Sequence, residues 1–371
     1  MEESLFALIR IGLDTEQPSE YVLSAVATLK GKQWRMLKEI AQKQGVSAVV
    51  LDGINNLCVA YGQERVCAST SLERWKDFVA EWSGDMIVTE QANLQQQEVM
   101  SDLAAAWMAK GCRVMLMKGQ ANGTFYPKPE HRSPGDIDCY LFENYSRGNE
   151  IAREAGALVD ESWYKHSQIH YKGELFENHQ YFVHTRDGKR GKSLEKELEA
   201  ALNVPEKEFS ILNSQCLILM PPVQWNAMFL TYHACAHFVS EGLRLKQILD
   251  WAMFLKTHQN DVDWPQFYAF CERHHLKRFV DAMTDIAVKY LGVNVTQEAQ
   301  IATGSPYTDK ILHSALYDED YVFGSGEGSW HNRWHLIRNL FHYRWKYEEI
   351  YQTSVWKQLW WYATGFLFKT E

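Results

Sequence analysis

The stretch Gly135-Asp136-Ile137-Asp138-Cys139-Tyr140-Leu141 alternates in character with a period of two. That period predicts a half-buried strand, with Ile137, Cys139 and Leu141 on one face and Asp136, Asp138 and Tyr140 on the other. The two carboxylates, at i and i+2, then share a side, with their Cα atoms roughly 7 Å apart. Paired carboxylates of this kind share divalent ions, and hard oxygen ligands select Mg²⁺ or Mn²⁺, as in two-metal phosphoryl-transfer sites. The blander reading of the same tripeptide is a pair of solvated acids on an edge strand.

Upstream, Arg113-Val114-Met115-Leu116-Met117 is a short apolar run between Gly111 and Gly119. It predicts a buried strand ending in Lys118-Gly119, where an ammonium and a backbone turn are placed to meet phosphates. Residues 119–135 contain Asn122, Gly123, Pro127, Pro129, Ser133 and Pro134 and predict a loop with at most one helical turn. Beyond the Asp strand, residues 148–157 read as helix. Residues 167–184 read as a hairpin turning at Lys172-Gly173, and its second strand carries Glu177 and His179 on one face. Three acids, Lys118 and Arg132 thus converge on one region.

The flanks are helical in pattern. Residues 21–41 are rich in helix formers, and residues 85–110 place Leu94, Leu103, Trp107 and Met108 on a stripe, with Gly111 positioned to end the helix. From residue 221 the pattern is helical again, strongest over 225–255 and then 268–291. Gly324 to Gly328 sets off a last aromatic stretch over 330–368. The expected organisation is an N-terminal helical region (1–84), a mixed core (85–220) and a C-terminal helical domain (221–371).

Composition fits an ordinary folded chain: 371 residues, 46% hydrophobic and 23% charged, which excludes disorder. A net charge of -9 disfavours coating by nucleic acid, so an anionic ligand must be met by local positive charge. The seven cysteines are odd in number, scattered and never paired as C-x-x-C. Neither a disulfide framework nor a zinc cluster is indicated, and a reducing cytoplasm is the expected setting. The first residues lack the basic start of a signal peptide, and no apolar run is long enough for a membrane helix.

In series, Met117-Lys118-Gly119, Tyr126-Pro127, Arg132, Gly135-Asp136-Ile137-Asp138, Glu177-Asn178-His179, His233 with His237, Arg244-Leu245 and Asp250 resemble the uncharacterised nucleotidyltransferase family of the DNA polymerase β superfamily. The resemblance runs from about residue 30 to 260. It implies an α+β fold with a polymerase β-like core: a small mixed sheet with helices, embedded in N- and C-terminal helical regions. It implies that Asp136, Asp138 and Glu177 are the catalytic metal ligands for Mg²⁺ or Mn²⁺, Glu177 also helping to deprotonate the acceptor. Lys118, Gly119, Arg132, Gly135 and His179 are the implied nucleotide-binding residues. Lys118-Gly119 stands where the superfamily usually has Gly-Ser, so an ammonium replaces a hydroxyl at that turn.

The expectation is a Mg²⁺-dependent transferase moving a nucleoside monophosphate from an NTP to a small-molecule, RNA or protein acceptor. The alternative is an inactive nucleotide-binding or interaction scaffold of the same fold, and phosphohydrolysis by the same acids is a third reading. His233 and His237 lie four apart on a helix, but Ala234 stands where the H-E-x-x-H zinc motif needs glutamate, so structural or supporting roles are expected. His331 and His335 read as packing, and Arg186, Lys189, Arg190 and Lys192 as a solvated Gly-rich loop or an anion contact. The C-terminal aromatic stretch, 355–368, has few cations for a membrane-surface helix and reads instead as core packing or a homodimer contact.

Overall fold

The computed structural model describes residues 1–184, 188–205, 209–213, 217–240, 242–300, 304–318, 337–338 and 340–360. Arg186, Cys216, Gly324 to Gly328, His331, His335 and the end of the aromatic stretch, 361–368, lie outside them. Six helices precede the first strand: α1 (Glu2–Gly12), α2 (Glu20–Ala27), α3 (Gly31–Lys43), α4 (Ser47–Tyr61), α5 (Gln63–Val66) and α6 (Leu72–Ala109). The helix-rich stretch over 21–41 is two helices. Ser19 caps the first by accepting from the Val22 N–H, and the Lys30 N–H at the start of the second donates to Gln33.

The 38-residue α6 runs unbroken past residue 84 and ends as expected, with Gly111 at φ +82°. Its buried stripe holds Gln96, Val99, Met100, Leu103 and Trp107. Leu94, 58% exposed, falls off it because two residues turn a helix by about 200°.

A seven-stranded mixed sheet follows: β1 (Val114–Leu116), β2 (Ile137–Tyr140), β3 (Leu158–Asp160), β4 (His166–Tyr171), β5 (Glu174–His179), β6 (Ser210–Asn213) and β7 (Ile218–Met220), ordered β3-β4-β5-β2-β1-β7-β6. The long loop between β1 and β2 holds α7 (Gln120–Gly123) and a 3₁₀ turn at Pro129–His131. Helix α8 (Tyr145–Glu154) follows β2, and α9 (Lys189–Leu202) separates β5 from β6. Helices α10 (Val223–Ser240), α11 (Leu245–His258), α12 (Trp264–Arg273), α13 (Lys277–Lys289) and α14 (Thr308–Tyr317) follow, with a π turn at Lys346–Ile350. The sequence pattern does not announce β3, β6 and β7.

The register decides which side chains share a face. β2 pairs antiparallel with β1 and parallel with β5, placing Leu116 beside Cys139, Ile137 beside Phe176 and Asp138 beside Glu177. One sheet face, with Val114, Leu116, Ile137, Cys139, Ile169, Phe176 and Ile218, packs on Leu103 and Trp107 of α6 and on Ile151 and Ala152 of α8. The other sends Met115, Met117 and Leu219 into a larger core shared with helices from both ends of the chain. Asp138, alternating with Ile137 and Cys139, belongs to this second face.

In that larger core α1 and α4 cross without room for a Cβ. A methyl on Gly53 would lie 2.0 Å from the Leu8 carbonyl oxygen, and one on Gly12 would lie 2.0 Å from that of Val49. Among the described residues no helix is long and apolar enough to cross a membrane.

Candidate active site

The carboxylates of Asp136, just before β2, Asp138 on β2 and Glu177 on β5 meet at the sheet face, their ligand atoms all within 4.8 Å of one another. Lys118, two residues beyond β1, lies against them: its Nζ is 3.0 Å from Asp138 Oδ2 and 3.6 Å from Asp136 Oδ2. The same Nζ is 3.0 Å from His233 Nε2 on α10, with His237 Nε2 3.2 Å further on. The sequence's i, i+4 histidines are therefore a backing to Lys118 and contribute no ligand to the acids.

Asp138 is 1% exposed. Its Oδ1 lies 3.0 Å from His179 Nε2, whereas Oδ2 has only the Lys118 ion pair and, among the described residues, forms no directed hydrogen bond. Burial would raise its pKa, but Lys118 and then His179 hold it well below the usual carboxylate range. Asp136 is shifted the other way, upward, by burial and by the Asp138 charge. Burial raises Glu177 most, but the His179 hydrogen bond together with the His166 and His179 charges brings it below its ordinary value. Burial, with Lys118 beside it, pushes His233 far down, so a neutral imidazole faces the Lys118 ammonium.

The loop leading to Asp136 is fastened by α6. Asn93 Nδ2 donates to the carbonyls of Glu130 and Arg132, and Gln96 Nε2 donates to that of Gly135. Arg132 does not reach the acid group. Its Nε and Nη2 each hydrogen-bond Asp250 on α11 at 2.8 Å, and Tyr126 Oη donates to Asp250 Oδ1 at 2.8 Å. This buried pair ties the loop to the C-terminal helices. Gly119, at φ +69°, begins α7 and faces the Asp136 carbonyl, and Gly135 lies under the Lys246 ammonium.

Three neighbours were missed in the sequence. Lys165, next to β4, has its ammonium pushed down by burial and by Lys118. His166, the first residue of β4, places Nε2 3.3 Å from Glu177 Oε1; the expected hairpin began one residue too late to include it. Lys246 on α11 lies 3.5 Å from the Pro134 carbonyl and is lowered to about 8 by burial and by Arg132. No spacing announces a lysine that arrives from a helix more than a hundred residues away. Arg190, from the basic loop, is committed elsewhere: it donates to the carbonyls of Tyr351 and His274 and stacks 3.8 Å over the Tyr351 ring.

The donor set is all oxygen at Asp136, Asp138 and Glu177, with one buried carboxylate oxygen lacking a directed hydrogen bond. Those are features a hard divalent cation satisfies. The family model of the uncharacterised nucleotidyltransferases matches residues 30–292, most of the chain. The chain belongs to that family. It is accordingly a nucleotidyltransferase, in the transferase class, and the mixed sheet within helical regions is the architecture expected for such a core. No curated protein and no solved structure matches it.

Proposed function

We propose that this nucleotidyltransferase moves a nucleoside monophosphate from an NTP to an acceptor hydroxyl and releases pyrophosphate. The convergence of Asp136, Asp138 and Glu177 on one sheet face beside Lys118 carries the reading. In it the three carboxylates hold Mg²⁺ or Mn²⁺, which when bound would neutralise phosphate charge and lower the pKa of the attacking oxygen. Glu177 accepts the acceptor's proton, directly or through water. The new bond joins the acceptor oxygen to the α-phosphorus, and the bond to the bridging oxygen breaks, leaving pyrophosphate. Lys118 and Lys246 offset charge on the phosphates, Gly119 and Gly135 leave room for close approach, and His179 orients Asp138. Arg132 acts through Asp250 by fixing the loop.

One observation favours the scaffold reading: the Lys118 ammonium already neutralises the acid pair. An assay separates the two. Each NTP, incubated with Mg²⁺ or Mn²⁺ and a panel of alcohol, RNA and protein acceptors, is expected to yield pyrophosphate, lost about 10²-fold or more in Asp138→Asn. Release of phosphate instead would indicate hydrolysis, and nucleotide binding indifferent to metal with no turnover would favour the scaffold.

A further inference from the structure

Beside the all-oxygen group lies a second convergence that contains nitrogen. The β4–β5 register sets His166 opposite His179, with Glu177 on the same face. The ligand atoms of His166, Glu177 and His179 also lie within 4.8 Å of one another. His166 Nε2 is 3.3 Å from Glu177 Oε1, and His179 Nε2 is 3.6 Å from Glu177 Oε2 and 3.0 Å from Asp138 Oδ1.

The opposite edge of the His179 ring explains what this arrangement is fitted for. Its Nδ1 lies 3.1 Å from the Tyr181 carbonyl, which only accepts, so Nδ1 carries a hydrogen. Nε2 is thereby turned toward two carboxylate oxygens, and three electron-rich atoms meet around a place that a proton or a cation must fill. A histidine whose far nitrogen donates to a backbone carbonyl is the usual presentation of an imidazole to a metal. Asp138, 1% exposed, adds its Oδ1 to the same place, 3.0 Å from Nε2.

We propose that His166, Glu177 and His179 form a second divalent-cation position, sharing Glu177 with the acid group and taking an ion with affinity for imidazole, such as Mn²⁺, Co²⁺ or Zn²⁺, in preference to Mg²⁺. Mixed nitrogen and oxygen ligands discriminate against Mg²⁺, which prefers oxygen and gives up water reluctantly. The position shares Glu177 and His179 with the reaction assigned above, but its metal binding can be read whether the chain transfers nucleotides or only binds them.

Co²⁺ is the probe. Titrated into the full chain, it is expected to give visible absorption bands of nitrogen ligation that persist under a tenfold excess of Mg²⁺. His166→Gln is expected to weaken that Co²⁺ at least 10-fold and remove the bands, while Asp136→Ala keeps them. X-ray absorption of the wild-type Zn²⁺ form, which needs no variant, is expected to show imidazole scattering. Oxygen-only scattering, complete displacement of Co²⁺ by Mg²⁺, or bands unchanged in His166→Gln would each overturn the proposal. Loss of Mg²⁺-dependent NTP binding in Asp136→Ala reports on the transferase reading alone.

Discussion

Lys118 shows how one side chain reshapes a familiar arrangement. Its ammonium balances Asp138 and Asp136 inside the sheet face, and removing one member of a buried ion pair leaves the other uncompensated. Lys118→Met is therefore expected to lose about 3 kcal/mol of metal-free stability in chemical denaturation, partly restored by Mg²⁺ or Mn²⁺. Equal stability with and without metal would contradict this. Lys246 yields a pH prediction. Its ammonium is charged below about 8 and neutral above, so NTP binding is expected to weaken as pH rises through about 8. Between about 8 and the ordinary 10.5 the unfolded chain keeps a proton that the folded one lacks, so stability rises over the same window. Opposite trends in calorimetry and melting, both removed in Lys246→Met, are the expected signature.

At the scale of elements, α6 does more than cover the sheet. Its Asn93 and Gln96 clamp the loop that delivers Asp136, and Gln120 Nε2 holds Asn93 Oδ1 in turn at 2.9 Å. Asn93→Leu leaves two carbonyls short of a donor, and a loss of about 2 kcal/mol with weaker NTP binding is expected. The elements that carry periodicity are legible in the sequence: β1, β2, the β4–β5 hairpin, and α6 with its Gly111 stop. The acids are legible for the same reason, since i and i+2 on a strand share a face. The edge strands β3 and β6, and β7 between β1 and β6, are not. Nor are His166 and Lys246, whose places depend on strand register and on a helix returning from far along the chain.

Over the whole molecule, N- and C-terminal helices join one core against the sheet face that bears the site. The N- and C-terminal helices meet in packing: the Gln44 side chain donates to the Ala315 carbonyl, and Lys256 donates to those of Leu13 and Asp14. The α1–α4 crossing leaves no room for a Cβ at Gly12 or Gly53. Gly53→Ala ought to help an isolated helix, yet in this crossing it is expected to cost about 2 kcal/mol, because its methyl meets the Leu8 carbonyl. A raised melting temperature would show that the helices separate easily.

Whether the acid group holds a metal that in turn holds a nucleotide is decided by calorimetry. Each NTP is titrated with and without Mg²⁺ into the wild type and into Asp136→Ala/Asp138→Ala. Binding that needs Mg²⁺ and vanishes in the variant is predicted; no binding to the folded wild type, or binding indifferent to both metal and carboxylates, would contradict it.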